Sequence, residues 1–282
     1  MSDFGGAVTR SDRYDLALIG IPYDAKSSFQ MGASQGPRAI REASTGKAIN
    51  AFTESGVDLG LDAVLVDQGD VDVSGGFSEV ARRIQECVHG VANHPAAPLI
   101  LGGDHSITYP VVKGLSATYP DLAILHFDAH PDLYEEYQGD PYSHACPFAR
   151  ILEEGLAAEL VQVGIRAATA EQRNLASRYP VRMIEMKDLR EDLALDFRRP
   201  LYISFDIDAL DPAFAPGVSH LEPGGMSTRQ ALGILQRLKA RIIGMDLVEV
   251  NPSRDPSGIT AAAGVKLVME VAGKIVRENS IP

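Results

Sequence analysis

The sequence predicts an α/β fold of three α/β/α layers, in which a mostly parallel central sheet carries helices on both faces. Segments of strand character alternate with segments of helical periodicity along most of the 282 residues. The strand segments are continuous apolar runs rich in Val, Ile and Leu, which is typical of strands buried on both faces. Hairpin signals are missing between neighbouring runs. These observations favour parallel strands joined by helices.

The predicted elements follow one another at regular intervals after a loose arm at 1–13. A helix begins at Pro37, because proline is favoured in the first turn of a helix, and another begins after the capping residue Ser227. Long loops are predicted at 133–145 and 209–226, where turn residues cluster. The predicted strands are 14–21, 61–67, 98–101, 122–127, 160–165, 181–184, 201–205 and 241–248, and the helices are 37–43, 77–92, a segment through 111–115, 147–154, 169–178, a segment after 227, and 258–277.

The composition indicates a single globular domain spanning residues 1–282, with 45% hydrophobic residues to form its core. The net charge of −12 argues against a nucleic-acid-binding surface and suits a small cationic substrate. Two cysteines, Cys87 and Cys146, are too few for a disulfide framework. Because neither an export signal nor a membrane span is apparent, we expect a cytoplasmic protein.

Acidic and imidazole side chains directly follow three of the predicted strands. The motifs are Gly102-Gly-Asp-His105, Asp128-Ala-His130-Pro-Asp132 and Asp206-Ile-Asp208. In an extended segment the side chains at alternate positions project to the same side, so the second motif would present three ligands together. Binding sites in parallel α/β sheets lie outside the carboxyl ends of the strands. The sequence therefore predicts a metal site at this edge of the sheet.

Charge counting favours two metal ions over one. The six candidate ligands include four carboxylates, and each like-charged pair at 4 Å would cost about 4 kcal/mol at an effective dielectric near 20. Two divalent cations cancel this charge, and a carboxylate-bridged pair is a known arrangement for activating water. Oxygen-rich ligation with two imidazoles suits Mn²⁺, while zinc and iron remain alternatives. Asp128 and Asp206 are the natural bridges, since each begins its motif.

Together the motifs resemble those of the ureohydrolases, the arginase and agmatinase family. Three further segments resemble the agmatinase-related branch that includes plant-type arginases. The core motifs are Gly102-Gly-Asp-His-Ser106, Phe127-Asp-Ala-His-Pro-Asp132 and Ser204-Phe-Asp-Ile-Asp-Ala-Leu-Asp-Pro212, and the further segments begin at Ser27, Tyr142 and Asp211. The resemblance implies the arginase-like three-layer fold and a homotrimer or homohexamer. It also implies hydrolysis of a guanidino C–N bond with release of urea.

The resemblance also implies a role for each matching residue. One Mn²⁺ would be held by His105, Asp128, Asp132 and Asp206, and a second by Asp128, His130, Asp206 and Asp208. His144 matches the family's proton-shuttling histidine, which also contacts the substrate, and Glu249 matches the acid that binds the guanidinium group. Two other histidines are expected nearby: His126 beneath the site and His220 at its entrance.

The loop after Asp132 favours agmatine as substrate over arginine. Tyr134 stands where animal-type arginases place an asparagine that binds the α-carboxylate, and Glu135, Glu136 and Asp140 would suit a second positive charge. Lys26 favours arginine instead, because its ammonium group would bind a carboxylate at the entrance. Arginine, guanidinobutyrate and formimidoylglutamate remain alternative substrates. A metal-binding protein without turnover and a deacetylase-like enzyme with one zinc are alternatives from other functional classes.

Overall fold

The computed structural model describes residues 4–5, 11–45 and 50–279, and the predicted arm at 1–13 lies largely outside these ranges. The strands form one sheet of eight, in the order β2-β1-β3-β8-β7-β4-β5-β6, and every neighbouring pair is parallel. The strands are Leu16–Ile21 (β1), Leu65–Asp70 (β2), Ala97–Gly102 (β3), Ala123–Phe127 (β4), Glu159–Ile165 (β5), Val181–Glu185 (β6), Leu201–Asp206 (β7) and Ile242–Val248 (β8). The predicted fold class is confirmed.

In the described part of the chain, seven α-helices cover the two faces of the sheet. They are Gly36–Ser44 (α1), Phe77–Ala92 (α2), Thr108–Ser116 (α3), Pro147–Glu153 (α4), Ala170–Ala176 (α5), Thr228–Arg237 (α6) and Ile259–Asn279 (α7). Ser227 caps α6 as predicted, because its hydroxyl accepts a hydrogen bond from Gln230 N and the Gln230 side chain returns one to the Ser227 backbone. Within the described ranges, no helix is both long enough and apolar enough to cross a membrane.

Alternating side chains of each strand supply two separate hydrophobic cores. Leu16 and Leu18 of β1 pack in the core beneath α1, α6 and α7, whereas Ala17 and Ile19 pack in the core beneath α2, α3, α4 and α5. All four side chains are at most 1% exposed. Because successive strand residues point to opposite faces, an apolar run of this kind requires helices on both sides. The three layers follow from that requirement.

The second strand begins later than predicted. Residues 61–64 lie outside the strand, and Leu61 is 85% exposed, so its apolar character does not mark a strand. The strand instead continues through polar residues, since the buried Arg41 guanidinium lies 2.8 Å from Asp67 and 2.6 Å from Asp70. Pairing with this cation removes the cost of burying an isolated charge. Composition alone cannot predict that a residue of α1 makes this polar segment a strand.

The ligand-bearing segments follow strands that are neighbours at the centre of the sheet. In the order β3-β8-β7-β4, the carboxyl ends of four adjacent strands lead into His105, Glu249, Asp206 and Asp128. Parallel strands place all these ends at the same edge. Residues that are far apart in the sequence thereby meet in one place.

Candidate metal centre and cavity

The six predicted ligands lie together at this edge, and five of them are almost completely buried. His105 and Asp128 are fully buried, and His130 is the most accessible, with 25% of its side chain exposed. The remaining ligands, Asp132, Asp206 and Asp208, are 3–5% exposed. Buried carboxylates at this density need positive charge nearby to offset their desolvation and mutual repulsion.

His105 lies at the centre of a first group of ligands. Its Nδ1 atom is 3.2 Å from Asp128 Oδ2, 3.1 Å from Asp132 Oδ2 and 3.3 Å from Asp206 Oδ2. These four residues are the ones predicted to hold the first ion. One imidazole nitrogen and three carboxylate oxygens facing a common point form a suitable set of donors for a divalent cation.

His130 belongs to a second group on the other side of Asp128. Its Nδ1 atom is 3.4 Å from Asp128 Oδ1 and 3.1 Å from Asp208 Oδ2, and these three residues could together hold a metal ion. Asp128 thus presents a different oxygen to each imidazole, which is the arrangement required of a bridge. Asp206 is joined to the second group through Asp208, whose backbone N–H donates to Asp206 Oδ1 at 2.8 Å.

Sharp bends, and not the straight extension expected from the sequence, bring the ligands after β4 together. His130 N donates to Asp128 Oδ1 at 2.6 Å, and Ala129 N donates to Asp208 Oδ1 at 3.1 Å. Asp132 adopts a φ of 51°, a left-handed conformation that costs a non-glycine residue on the order of 1 kcal/mol. The bends place Asp132 beside His105 instead of beside His130.

A hydrogen-bonded chain fixes the His105 imidazole from below. The Ser204 hydroxyl donates to Asp246 Oδ1 at 2.7 Å, so its oxygen accepts from His105 Nε2 at 2.9 Å. Asp246 is fully buried and also accepts from Tyr202 and Thr108, both at 2.8 Å. A proton on Nε2 leaves the Nδ1 lone pair of a neutral imidazole pointing at the three carboxylates.

This arrangement fits a cation at the first group. Within the described residues, the buried His105 Nδ1 atom has no hydrogen bond of acceptable geometry. Burial lowers the pKa of His105, but Asp128, Asp132 and Asp206 raise it more, so the pKa lies well above its usual value. Burial and the carboxylates of Asp208 and Asp128 raise the pKa of Asp206 well above its usual value. The site therefore requires positive charge between its ligands, which a divalent ion would supply.

His126 lies beneath the centre, as predicted. Its Nε2 atom is 2.8 Å from Asp128 Oδ2, and its Nδ1 atom is 3.0 Å from Gln162 Nε2. The Gln162 amide also donates to Pro131 O at 2.6 Å. Because the amide nitrogen is a donor, His126 carries its proton on Nε2 and donates it to Asp128. This bond orients the bridging carboxylate.

Asp104, which precedes His105 in the Gly-Gly-Asp-His motif, has a structural role. Its carboxylate accepts from Ser106 N at 3.0 Å and from Lys26 N at 2.8 Å. Burial and the nearby Glu249 raise the pKa of Asp104 to about 7. Asp104 therefore orients the turn that carries His105 and holds the loop after β1 against it.

A cavity of about 150 Å³ opens above the ligands. Glu249 and His144 line it together with His130, Asp132, Asp206 and Asp208. Its outer wall includes Ser28, Tyr134, Tyr137, Gln172, Ser219 and His220. A larger groove of about 1150 Å³ lies at the opposite end of the sheet, near Arg241, and none of the predicted ligands lines it. The smaller cavity is the candidate active site, because it contains the reactive side chains.

Glu249 and His144 form a pair on the cavity wall. Glu249 Oε1 accepts from His105 N at 3.0 Å and lies 3.4 Å from His144 Nδ1. Burial lowers the pKa of His144, but Glu249 outweighs this effect and raises the pKa to about 9. Glu249 has a φ of 63° at the end of β8, and this strained backbone turns its carboxylate into the cavity.

His144 is held on its other sides by loop residues. Its Nε2 atom is 2.8 Å from Ser28 Oγ, and its ring stacks on His220 with centroids 5.4 Å apart. His220 therefore lines the cavity, consistent with the entrance position expected for it. The loop carrying Ser28 is held at the Gln30 carbonyl, which accepts from Ser219 Oγ at 2.8 Å and from Asn251 Nδ2 at 3.0 Å.

The charged residues expected to select the substrate lie outside the cavity. Lys26 Nζ is 2.5 Å from Asp140, and Arg178 is 2.7 Å from Glu135, so these charges are paired with each other. Glu136 is exposed. These groups do not line the cavity, so the structure gives no support to the expectation that the loop acids bind a second cationic group or that Lys26 binds a carboxylate. Tyr134 does line the cavity.

Several residues of the site are given no role by the sequence, although Ser204 and Ser28 lie within segments that resemble the family. Ser204 and Asp246 lie within buried strands, where they read as isolated polar residues in apolar runs, and Gln172 lies in a short helix. Ser28 precedes Phe29 in a loop of small polar residues. Only the parity of β7, which places Ser204 and Asp206 on the same face, could have indicated one of them.

Comparison with known proteins places these features in a family. The family model described as "Arginase family" matches residues 14–273. The mitochondrial arginase of Medicago truncatula is 43% identical over 98% of this chain and 85% of its own, and mitochondrial arginase 1 of Arabidopsis thaliana is 44% identical over 92% and 80%. The mitochondrial agmatinase of Gallus gallus is 35% identical over 93% and 82%. The solved arginase structure from M. truncatula superposes with a TM-score of 0.88 over 93% of this chain and 87% of that one.

The expected cytoplasmic location is not supported. The arginases of M. truncatula and A. thaliana are both named as mitochondrial enzymes, and a second arginase of A. thaliana is named as chloroplastic or mitochondrial. Low cysteine content does not distinguish the cytoplasm from the interior of such organelles, since few disulfides form in either. The sequence-based prediction of location is therefore corrected.

The fold, the ligand cluster and the family match lead to the same conclusion. The resemblance inferred from the sequence motifs is confirmed, and its His and Asp clusters could hold the metal on which this family depends. A binding protein without turnover and a deacetylase-like enzyme are both set aside by the match. The chain belongs to the arginase family and is a hydrolase that acts on guanidino compounds.

Proposed function

We propose that the chain is an arginase, which hydrolyses arginine to ornithine and urea. The observation that supports the chemistry is the position of Glu249 and His144 beside the six candidate ligands in one cavity. The choice of substrate is supported by the 43–44% identity to plant arginases against 35% to an agmatinase. The loop acids that favour agmatine in the sequence are paired with Lys26 and Arg178 outside the cavity.

Two Mn²⁺ ions per subunit are the proposed cofactors. The first would be held by His105, Asp128, Asp132 and Asp206, and the second by Asp128, His130, Asp206 and Asp208. When bound, such a pair supplies Lewis acidity and makes hydroxide available near neutral pH. The close approach of carboxylate oxygens to His105 Nδ1 and His130 Nδ1 supports this assignment.

Glu249 is the proposed anchor of the guanidinium group. Its carboxylate is buried and oriented by His105 N, so it offers fixed oxygens to a planar cation. Although burial raises the pKa of Glu249, His144 lowers it below its usual value, so the side chain is anionic at neutral pH. The guanidinium carbon would then lie directly above the metal ligands.

His144 is the proposed proton donor to the departing amine. Hydrolysis adds a water oxygen to the guanidinium carbon and breaks its bond to the substrate chain, whose nitrogen needs a proton to leave as an amine. Glu249 raises the pKa of His144 to about 9, which favours the protonated imidazole. Its contact with Ser28 Oγ offers a route for the proton that replaces the one donated.

We also propose that residues 1–282 form one domain and that the protein assembles as a homotrimer or homohexamer. The domain proposal is supported by the single sheet, whose eight strands draw on residues 16–248. The assembly proposal rests on the family resemblance alone. Light scattering coupled to size-exclusion chromatography would test it, and a monomer would contradict it.

Measurement of urea release tests the proposed activity. Arginine, agmatine, 4-guanidinobutyrate and formimidoylglutamate would be compared, the last by formamide release, with Mn²⁺ added. We expect kcat/KM to be highest for arginine. A higher kcat/KM for agmatine or for a guanidino acid would make that compound the proposed substrate instead of arginine. If none of the four compounds is hydrolysed, the proposed activity is contradicted.

A further inference from the structure

Gln172 stands out among the cavity residues, because it belongs to none of the motifs that carry the metal ligands. It lies in α5, is 2% exposed, and lines the cavity beside Tyr134 and Tyr137. Buried glutamine side chains normally satisfy both ends of their amide. Both the oxygen and the NH₂ group of the Gln172 amide are therefore expected to have hydrogen-bond partners.

The capping box of α5 determines the orientation of this amide. Gln172 Oε1 accepts from Thr169 N at 3.0 Å and from Thr169 Oγ1 at 3.2 Å, while Gln172 N donates to Thr169 Oγ1. An N–H donor can bond only to the amide oxygen, so the NH₂ group must be the opposite end. The hydrogen bonds that Gln172 makes with the described residues involve its Oε1 atom and its backbone nitrogen, and none involves this side-chain nitrogen. Two N–H donors are thus available to the cavity.

The neighbouring wall residues are also neutral. Tyr134 and Tyr137 lie with ring centroids 5.1 Å apart, and within the described residues neither hydroxyl has a protein partner. The residues that line the cavity include no lysine and no arginine. Lys26 is paired with Asp140. Beside Ser28, Ser219 and His220, the part of the cavity away from the candidate ligands presents the N–H donors of Gln172 and two phenolic hydroxyls.

The Gln172 NH₂ group is complementary to a carboxylate and not to an ammonium group, whereas the two phenolic hydroxyls can donate or accept. A carboxylate only accepts hydrogen bonds, and the amide NH₂ only donates them. A substrate tail that ends in an ammonium group would find no acceptor at Gln172. We propose that Gln172 binds the α-carboxylate of arginine and so selects arginine over agmatine. This inference rests on the proposed arginase activity and assigns the specificity of that same site.

The substitution Gln172→Glu tests the assignment with little change in shape. A glutamate at this position keeps an oxygen for Thr169 and so preserves the capping box, but it replaces the NH₂ donor with an anionic oxygen. At alkaline pH, where the new carboxyl is ionised, we expect kcat/KM for arginine to fall about 10- to 100-fold, through a higher KM. For agmatine, kcat/KM should stay constant or rise.

Gln230→Glu is the matched control, because Gln230 forms the same capping box with Ser227 at α6 and does not line the cavity. It should leave both substrates unaffected. If Gln172→Glu does not fold, Gln172→Ala compared with Gln230→Ala gives the same test, and the loss should again be confined to arginine. Melting temperatures establish that the variants are folded.

The outcomes separate this inference from the proposed function. An unchanged KM for arginine, or an equal loss for arginine and agmatine, would overturn the role of Gln172 even if the wild type prefers arginine. A wild type that prefers agmatine would overturn the proposed substrate. A selective loss with arginine in the Gln172→Glu variant would still support the carboxylate contact in that case.

Discussion

His105 Nε2 lies 2.9 Å from Ser204 Oγ, and this contact determines which ring nitrogen faces the carboxylates. In a Ser204→Ala variant the Nε2 proton loses its acceptor, so the tautomer with a protonated Nδ1 competes with the ligand form. We expect Mn²⁺ affinity, measured by calorimetric titration, to fall about 10- to 100-fold. Thr108→Val is the control, because Thr108 donates to the same Asp246 carboxylate without touching the imidazole. Equal affinity in the Ser204→Ala and wild-type proteins would contradict this role.

Substitutions of Asp128 and of His144 should have different effects, the first on metal binding and the second on turnover. Asp128→Asn removes the charge of the proposed bridge, so elemental analysis should find neither ion retained after dialysis. His144→Asn should retain full metal content and reduce kcat on the order of 10²- to 10⁴-fold, as expected for loss of a general acid. Loss of metal in the His144 variant would mean that this residue supports the metal centre instead.

The Glu249 carboxylate should control the protonation of His144. Glu249→Gln removes the anion that stabilises the imidazolium, so the pKa of His144 should fall from about 9 toward the ordinary 6.5. NMR titration of the imidazole in the metal-free protein measures this value without paramagnetic broadening. A pKa that stays near 9 would assign the shift to groups other than Glu249.

Arg41 should be required for stability. Arg41 is 1% exposed and contacts Asp67 and Asp70, so Arg41→Ala leaves the buried Asp67 carboxylate without a counter-ion. Because the Asp67 carboxylate is buried and Asp70 is exposed, the loss comes from the Asp67 pair. We expect the free energy of unfolding to fall by roughly 3 kcal/mol, measured by urea denaturation. Arg38→Ala on the same helix is the control, because Arg38 pairs with Glu42 at the surface and should contribute well under 1 kcal/mol. Similar losses in both variants would contradict the buried-pair argument.

The sequence predicts the layers well and places the six candidate ligands at one edge of the sheet, because both depend on local patterns. Apolar runs mark the strands, and ligand motifs at the strand ends identify the metal centre once the sheet is known to be parallel. The sequence could not reveal contacts between distant segments. Pairing of Lys26 with Asp140, more than 100 residues away, reversed the expectation for the substrate, and the Arg41 contacts displaced the second strand.

The orientation of Gln172 shows the same limit at the level of one side chain. Its capping-box pattern with Thr169 is readable in the sequence, but the cavity beside it is formed by loops after other strands. Local pattern therefore predicts a helix start, and only the fold shows that its free amide end is exposed to substrate.

The two bonds to the Gln30 carbonyl have a consequence for the path of the substrate. Ser219 and Asn251 belong to segments on either side of the cavity, and both hold the loop that carries Ser28. The mouth of the cavity is consequently braced before any molecule arrives. Substrate binding then costs little free energy for ordering the loop. We therefore expect the association rate of the substrate to approach the diffusion limit.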